Sequence, residues 1–183
     1  MILSNENYKI MINKDNQYTL FSTDNKSYDN PVLLENYSRN DFVCAYNISI
    51  DSHVSNYIVT VIGRAYGNVE NCAVLKENRL VVLIDDFIVF INLITHQIEL
   101  SKKLFDFGTG IELYTFNDGY IVNAEVDLLY LDRYANLIWT FCGRDIWVRP
   151  TNESSIKIID NTLLLTDFAG YQYCLDKSGN EIL

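Results

Sequence analysis

Histidine, proline and basic side chains are all scarce in this 183-residue chain: two His, two Pro, and 14 Lys and Arg against 24 Asp and Glu. His53 and His96 give little material for a catalytic triad or a histidine-rich metal site, and no serine or cysteine motif stands ready for either to activate. Cys44, Cys72, Cys142 and Cys174 are tens of residues apart with no C-x-x-C pair. Zinc-knuckle and thioredoxin-type chemistry are therefore excluded, and buried free thiols are expected. A formal charge of −10 opposes nucleic acid or anionic lipid as the direct partner. The most apolar stretch, Leu80 to Ile94, is broken by Asp85, Asp86 and Asn92, so it falls short of a membrane helix. Residues 1–12 lack a basic start, an apolar run and a small-residue cleavage site, and the expected location is the cytoplasm.

Other motifs that could carry chemistry also fail on spacing. Adjacent residues on an extended strand project to opposite faces, so Asp85 and Asp86 cannot flank one scissile bond and read as a solvated turn. Asp176 to Glu181 lacks the ligand spacing of a calcium loop, and Gly108-Thr109-Gly110 lacks the third glycine and helix of a nucleotide loop. The sequence calls for no cofactor, no metal and no catalytic residue.

What is abundant favours strands. Hydrophobic residues make up 49% of the chain and aromatics 13%, with 13 Tyr and 9 Phe, enough to fill the core of a single domain with half-buried pleated surfaces. Leu80 to Asp86 lies over Tyr120 to Val126 at a spacing of forty; Ile88 to Asn92 then lies over Leu128 to Asp132, and Ile98 over Ile138. A third copy begins near Asp160 and sets Asp176 under Asp132 and Asn180 under Asn136. A period of this size marks a repeat with a four-stranded unit. Asn, Asp and Gly punctuate each copy into strands a, b, c and d. Repeat units are assigned to residues 69–104, 111–141 and 154–183 of one all-β domain. Residues 1–68 read as degenerate strands at Tyr8 to Ile12, Gln17 to Ser22, Phe42 to Ile50 and Asn56 to Gly63, with a long loop at Asn30 to Arg39.

Phe90 to Ile98 and Tyr130 to Trp139 resemble the blade signature of quinoprotein-like β-propellers, in which an aromatic strand ends in Asp, crosses a turn usually closed by Gly, and is followed by a strand ending in Trp. The turn glycine is replaced here by His96 and Asn136 in two copies, and only Trp139 supplies the tryptophan. The resemblance implies an all-β fold, a small or incomplete β-propeller of four-stranded antiparallel repeats, and carries no cofactor site. An irregular stack of antiparallel sheets is the second choice.

Chain reversal at every turn puts the b-to-c turns and the d-to-a connections on the same rim. The first group holds Asp85, Asp86, Glu125, Asp127 and Asp167; the second holds Asp106 and Asp145 with Phe105, Phe107 and Trp147. On the opposite rim Lys76, Arg133 and Lys177 mix with Glu77, Asp118 and Asp132. An acidic rim with aromatic anchors suits a basic protein surface. In overall character the chain resembles immunity proteins encoded beside bacterial polymorphic or contact-dependent growth inhibition toxins, which implies a toxin inhibitor covering a nuclease active site. The competing expectations are a general interaction scaffold, and a carbohydrate-active enzyme with carboxylates drawn from two blades.

Overall fold

The computed structural model describes residues 1–67, 69–149 and 153–182; Asn68 and Leu183, which close two of the ranges read from the sequence, lie outside them. All regular structure among these residues is strand. The structure divides into two compact units, Met1–Asp106 and Phe107–Leu183.

In the N-terminal unit, the residues read as degenerate build a sheet of their own. Strands β1 (Ile2–Ser4), β2 (Tyr8–Asp15), β4 (Val43–Ser52) and β5 (Asn56–Arg64) pair antiparallel in that order, and β3 (Val32–Leu33) adds a parallel edge beside β5. Gln17 to Ser22 forms turns instead of a strand. Two of its three apolar side chains, Tyr18 and Leu20, pack on the cluster of Val43, Ala45 and Ile62 without entering the ladder, while Phe21 is exposed. The second sheet is a regular four-stranded repeat, β6 (Ala73–Lys76), β7 (Arg79–Ile84), β8 (Phe87–Asn92) and β9 (Gln97–Lys103). Its central strands are buried on both faces from Leu80 to Ile91, which explains a nearly continuous apolar run where a half-exposed strand would alternate. Ile10, Ile12, Ile48 and Ile50 of the first sheet pack on Leu80, Val82, Ile84, Val89 and Ile91 of the second. Each such burial contributes about 1.5–3 kcal/mol.

The C-terminal unit repeats the plan. β10 (Glu112–Phe116), β11 (Gly119–Ala124), β12 (Asp127–Leu131) and β13 (Leu137–Cys142) form the third sheet. β14 (Ile156–Ile159), β15 (Thr162–Thr166) and β16 (Gln172–Leu175) form the fourth. Where a fourth strand is expected, this last sheet has a single bridge, Leu175 to Glu181. Phe116, Ile121 and Leu128 pack against Ile156, Leu163, Leu165, Leu175 and Trp147.

The repeat is most visible in the backbone. Left-handed residues recur at each a-to-b turn (Glu77, Asn117, Asp160), each b-to-c turn (Asp85, Glu125, Gly170) and each c-to-d turn (His96, Ala135, Gly179). The last set corrects the alignment, because the counterpart of His96 is Ala135 and not Asn136. The His96 amide reaches back to the Asn92 carbonyl, four residues, while that of Ala135 reaches to Asp132, three residues, so the second turn is one residue shorter.

Candidate functional site

Within each unit the chain reversals do bring b-to-c turns beside d-to-a connections. In the N-terminal unit the Leu104 amide donates to the Asp86 carbonyl at 2.8 Å. Lys103 Nζ lies 3.4 Å from Asp86 Oδ2 and 3.6 Å from Asp106 Oδ1. In the C-terminal unit the Trp147 amide donates to the Glu125 carbonyl at 2.6 Å, and that of Phe168 to the Ile146 carbonyl at 2.8 Å. A rim exists in both.

Its charge differs from the sequence expectation. Asp85, Asp86 and Asp167 are buried, at 3%, 6% and 1% exposure, and Trp147 at 1% belongs to the core, so these four residues do not present themselves to a partner. The physical reason is that acids at tight turns are used internally. Asp167 Oδ1 accepts from the Tyr171 amide and Oδ2 from the Tyr173 hydroxyl, both at 2.9 Å, closing the β15–β16 turn. Asp86 is matched by Lys103, and Asp85 turns at φ 52° with its backbone against Gly67. Asp85-Asp86 is therefore not a solvated turn. Asp106 is fully at the surface, whereas Phe105, Glu125, Asp127 and Asp145 are half-buried.

Around the C-terminal unit's turns stand residues that charge counting missed. Val126, Phe168 and Tyr171 are each about half exposed, and the Arg144 guanidinium lies 4.7 Å above the Tyr171 ring. Two exposed aromatics, Phe168 within the stretch Asp167 to Gly170 and Tyr171 directly after it, were the available signal, masked by reading that stretch only as punctuation. Cys142, exposed where a buried thiol was expected, donates to Asp127 Oδ1 at 2.6 Å; that hydrogen bond, with some burial, holds the thiol above its ordinary range.

The opposite rim is built from caps. Asn92 Oδ1 accepts from the amides of Ile94 and Thr95, Asp132 Oδ1 from those of Tyr134 and Asn136, and Asp176 Oδ1 from those of Ser178 and Asn180. His96 stacks on Tyr57 with ring centroids 3.4 Å apart, and His53 Nε2 sits 3.0 Å from the Glu6 carbonyl. Among the described residues no group of three or more His, Cys, Asp or Glu could hold a metal ion. One buried carboxylate, Glu112, accepts at 3.2 Å from both Asn123 Nδ2 and Ser154 Oγ, with Tyr114 bonded in turn to Ser154 at 2.8 Å. Each of these groups has a hydrogen-bond partner, so the cluster is an internal network, and burial pushes the Tyr114 hydroxyl well above its usual range.

No family model and no curated protein matches this chain. Solved structures do. The crystal structure of BamB from Moraxella catarrhalis gives a TM-score of 0.57 at 10% identity, covering 100% of this chain and 46% of that one. Dihydro-heme d1 dehydrogenase NirN in complex with DHE gives 0.52 at 11% identity, covering 81% of this chain and 36% of that one. Both are β-propellers. The fold is thus all-β and propeller-like, built of antiparallel sheets that are four-stranded in the regular repeats. The chain spans less than half the length of either structure, and at such identities the likeness concerns the fold alone.

Proposed function

We propose that this chain is a non-catalytic protein-binding module of the cytoplasm whose C-terminal rim docks a basic partner. The observation that carries the reading is the clustering of half-exposed Val126, Phe168 and Tyr171 beside Glu125, Asp127 and Asp145, in a unit with eleven acidic and five basic residues. Carboxylates around an apolar centre speed encounter with a cationic surface, while the aromatics set how long the complex lasts. The finer form of the proposal is an immunity protein: a nuclease toxin is basic where it holds phosphates, and a carboxylate array covers that surface by competition. A general scaffold would use the same surface without requiring a basic partner.

The test is association kinetics with the product of the adjacent open reading frame. Combined reversal of Glu125, Asp127 and Asp145 to lysine is expected to slow association about 10- to 100-fold at low salt. Phe168→Ala with Tyr171→Ala is expected to speed dissociation instead. Asp85, Asp86 and Asp167 are unsuitable for reversal, because a buried lysine there would unfold the turn before it reported on binding. Association unchanged by the triple reversal, or no complex at all, overturns the reading.

A further inference from the structure

β9 and β13 hold the same place, the last strand of the second and of the third sheet, and they differ in charge. β9 carries Glu99, Lys102 and Lys103, whereas β13, Leu137–Cys142, has no charged residue and no proline. A sheet edge presents unpaired amides and carbonyls that template another strand, and charges like those of β9 are an ordinary protection against it. An irregular register, another such protection, falls at the turn end of both strands and leaves Trp139 to Cys142 regular. Leu137 and Ile138 are 54% and 56% exposed, and Thr140 and Cys142 also face solvent.

The register determines which backbone groups are open. The Ile111 amide donates to the Asn123 carbonyl, so Asn123 turns its peptide groups away from β12. Hydrogen-bonded and non-bonded pairs alternate along antiparallel strands. Carried across the pairs of Asn123 with Leu128 and of Leu128 with Phe141, this alternation directs the amides of Trp139 and Phe141 to β12 and the amides and carbonyls of Thr140 and Cys142 outward. Among the described residues no backbone group reaches that outer side. Trp139 and Phe141 meanwhile pack on the core that includes Leu163 and Leu175, so the strand is anchored by its rings while its edge stays open.

This edge runs into the rim of the C-terminal unit. Cys142 stands opposite Asp127 and donates to its carboxylate, and Asp145 follows three residues later. We propose that a basic partner adds an extended segment to the outer edge of β13, with a lysine or arginine seated at the Cys142 end beside Asp127 and Asp145. The inference rests on the reading of the rim as the docking place of a basic protein. Main-chain hydrogen bonds to Thr140 and Cys142 supply affinity, and the uncharged flank of β13 selects apolar or hydroxyl side chains along the segment. A second copy of this chain has the same uncharged edge but brings another formal charge of −10 toward these acids, so charge favours the cationic partner.

Amide hydrogen exchange, read residue by residue by NMR, tests this on the full chain with and without the product of the adjacent open reading frame. Binding is expected to slow exchange at Thr140 and Cys142 at least about 10-fold, with Trp139 and Phe141, already paired, as references. Thr140→Pro removes one outward amide where an edge strand tolerates proline, and should speed dissociation about 5- to 10-fold with association unchanged. Thr140→Val keeps the amide and should leave both rates as they are. The exchange measurement on the wild type decides the matter should the proline variant fail to fold. A complex in which Thr140 and Cys142 exchange as in the isolated chain overturns strand addition and leaves the proposed function standing. Absence of any complex overturns both. Slow exchange at these two amides in the isolated chain, with a dimer in sedimentation, assigns the edge to a second copy and overturns the proposal as well.

Discussion

Tyr57 in the N-terminal unit and Trp139 in the C-terminal unit perform the same task with unrelated chemistry. Tyr57 leaves β5, stacks on His96 and donates its hydroxyl to the Leu93 carbonyl at 3.1 Å; burial raises that hydroxyl to about 12, so it stays a donor. Trp139 leaves β13, covers Gly179, and donates Nε1 to the Lys177 carbonyl at 3.2 Å. Each aromatic reaches the c-to-d turn of the following sheet, and each turn has a left-handed residue beneath the ring, at φ 62° for His96 and 81° for Gly179. The recurring element is thus a backbone shape with an aromatic laid upon it. An L-residue held in that shape costs roughly 1–2 kcal/mol, which His96 offsets with a stacked ring of its own and Gly179 avoids.

The largest effect that separates the two turns is expected from Gly179→Ala. Its new Cβ would lie 2.7 Å from Trp139 Cδ2 at a φ that disfavours any side chain, and the combined loss should be about 3 kcal/mol by urea denaturation. His96→Gly is the opposite experiment: relief of strain and loss of the stacked ring should nearly cancel, within about 0.5 kcal/mol. If His96→Gly destabilises as strongly as Gly179→Ala, the two turns are not equivalent. Trp139→Phe and Tyr57→Phe come next. Each keeps a ring over the turn and deletes one hydrogen bond, with an expected cost of about 1 kcal/mol. Both tryptophans, Trp139 and Trp147, lie in the C-terminal unit, so their fluorescence reads that unit directly.

The same comparison shows what a sequence reader can and cannot see. Forty-residue spacing between Leu80 and Tyr120 was legible because buried central strands demand apolar runs and tight hairpins demand Asn, Asp or Gly. The first sheet was not, because its strands are joined through the excursion 16–42 and its docking aromatic is a tyrosine where the blade pattern asks for tryptophan. His96 misled for a related reason: a one-residue difference in turn length shifts the register so that Leu100 faces Phe90 as Trp139 faces Tyr130. The rim itself was legible, since chain reversal alone places the b-to-c turns beside the d-to-a links. Its charge was not. Whether an aspartate at a turn faces water or caps the turn depends on nearby donors such as Tyr173 and Lys103, which are distant along the chain or set by side-chain reach.

The smallest effect expected is one of pH, and it again divides the two units. The c-to-d turn of the second sheet is capped by an amide, Asn92, that does not titrate; that of the fourth is capped by Asp176. Amide hydrogen bonds, the Asn180 backbone foremost, hold the Asp176 carboxyl below its ordinary value of 3.8. A depressed folded value means that the cap's contribution is complete above that ordinary value and is lost as pH falls through the lower folded one. The Asp176→Asn variant retains an acceptor without the titration. Melting temperature followed by tryptophan fluorescence should therefore be slightly higher for the wild type at neutral pH, and the two curves should converge in strong acid. An identical acid slope in both proteins would assign the effect to other carboxylates, of which Asp15, lowered mainly by its hydrogen bond from Tyr28, is the first to examine in the N-terminal unit.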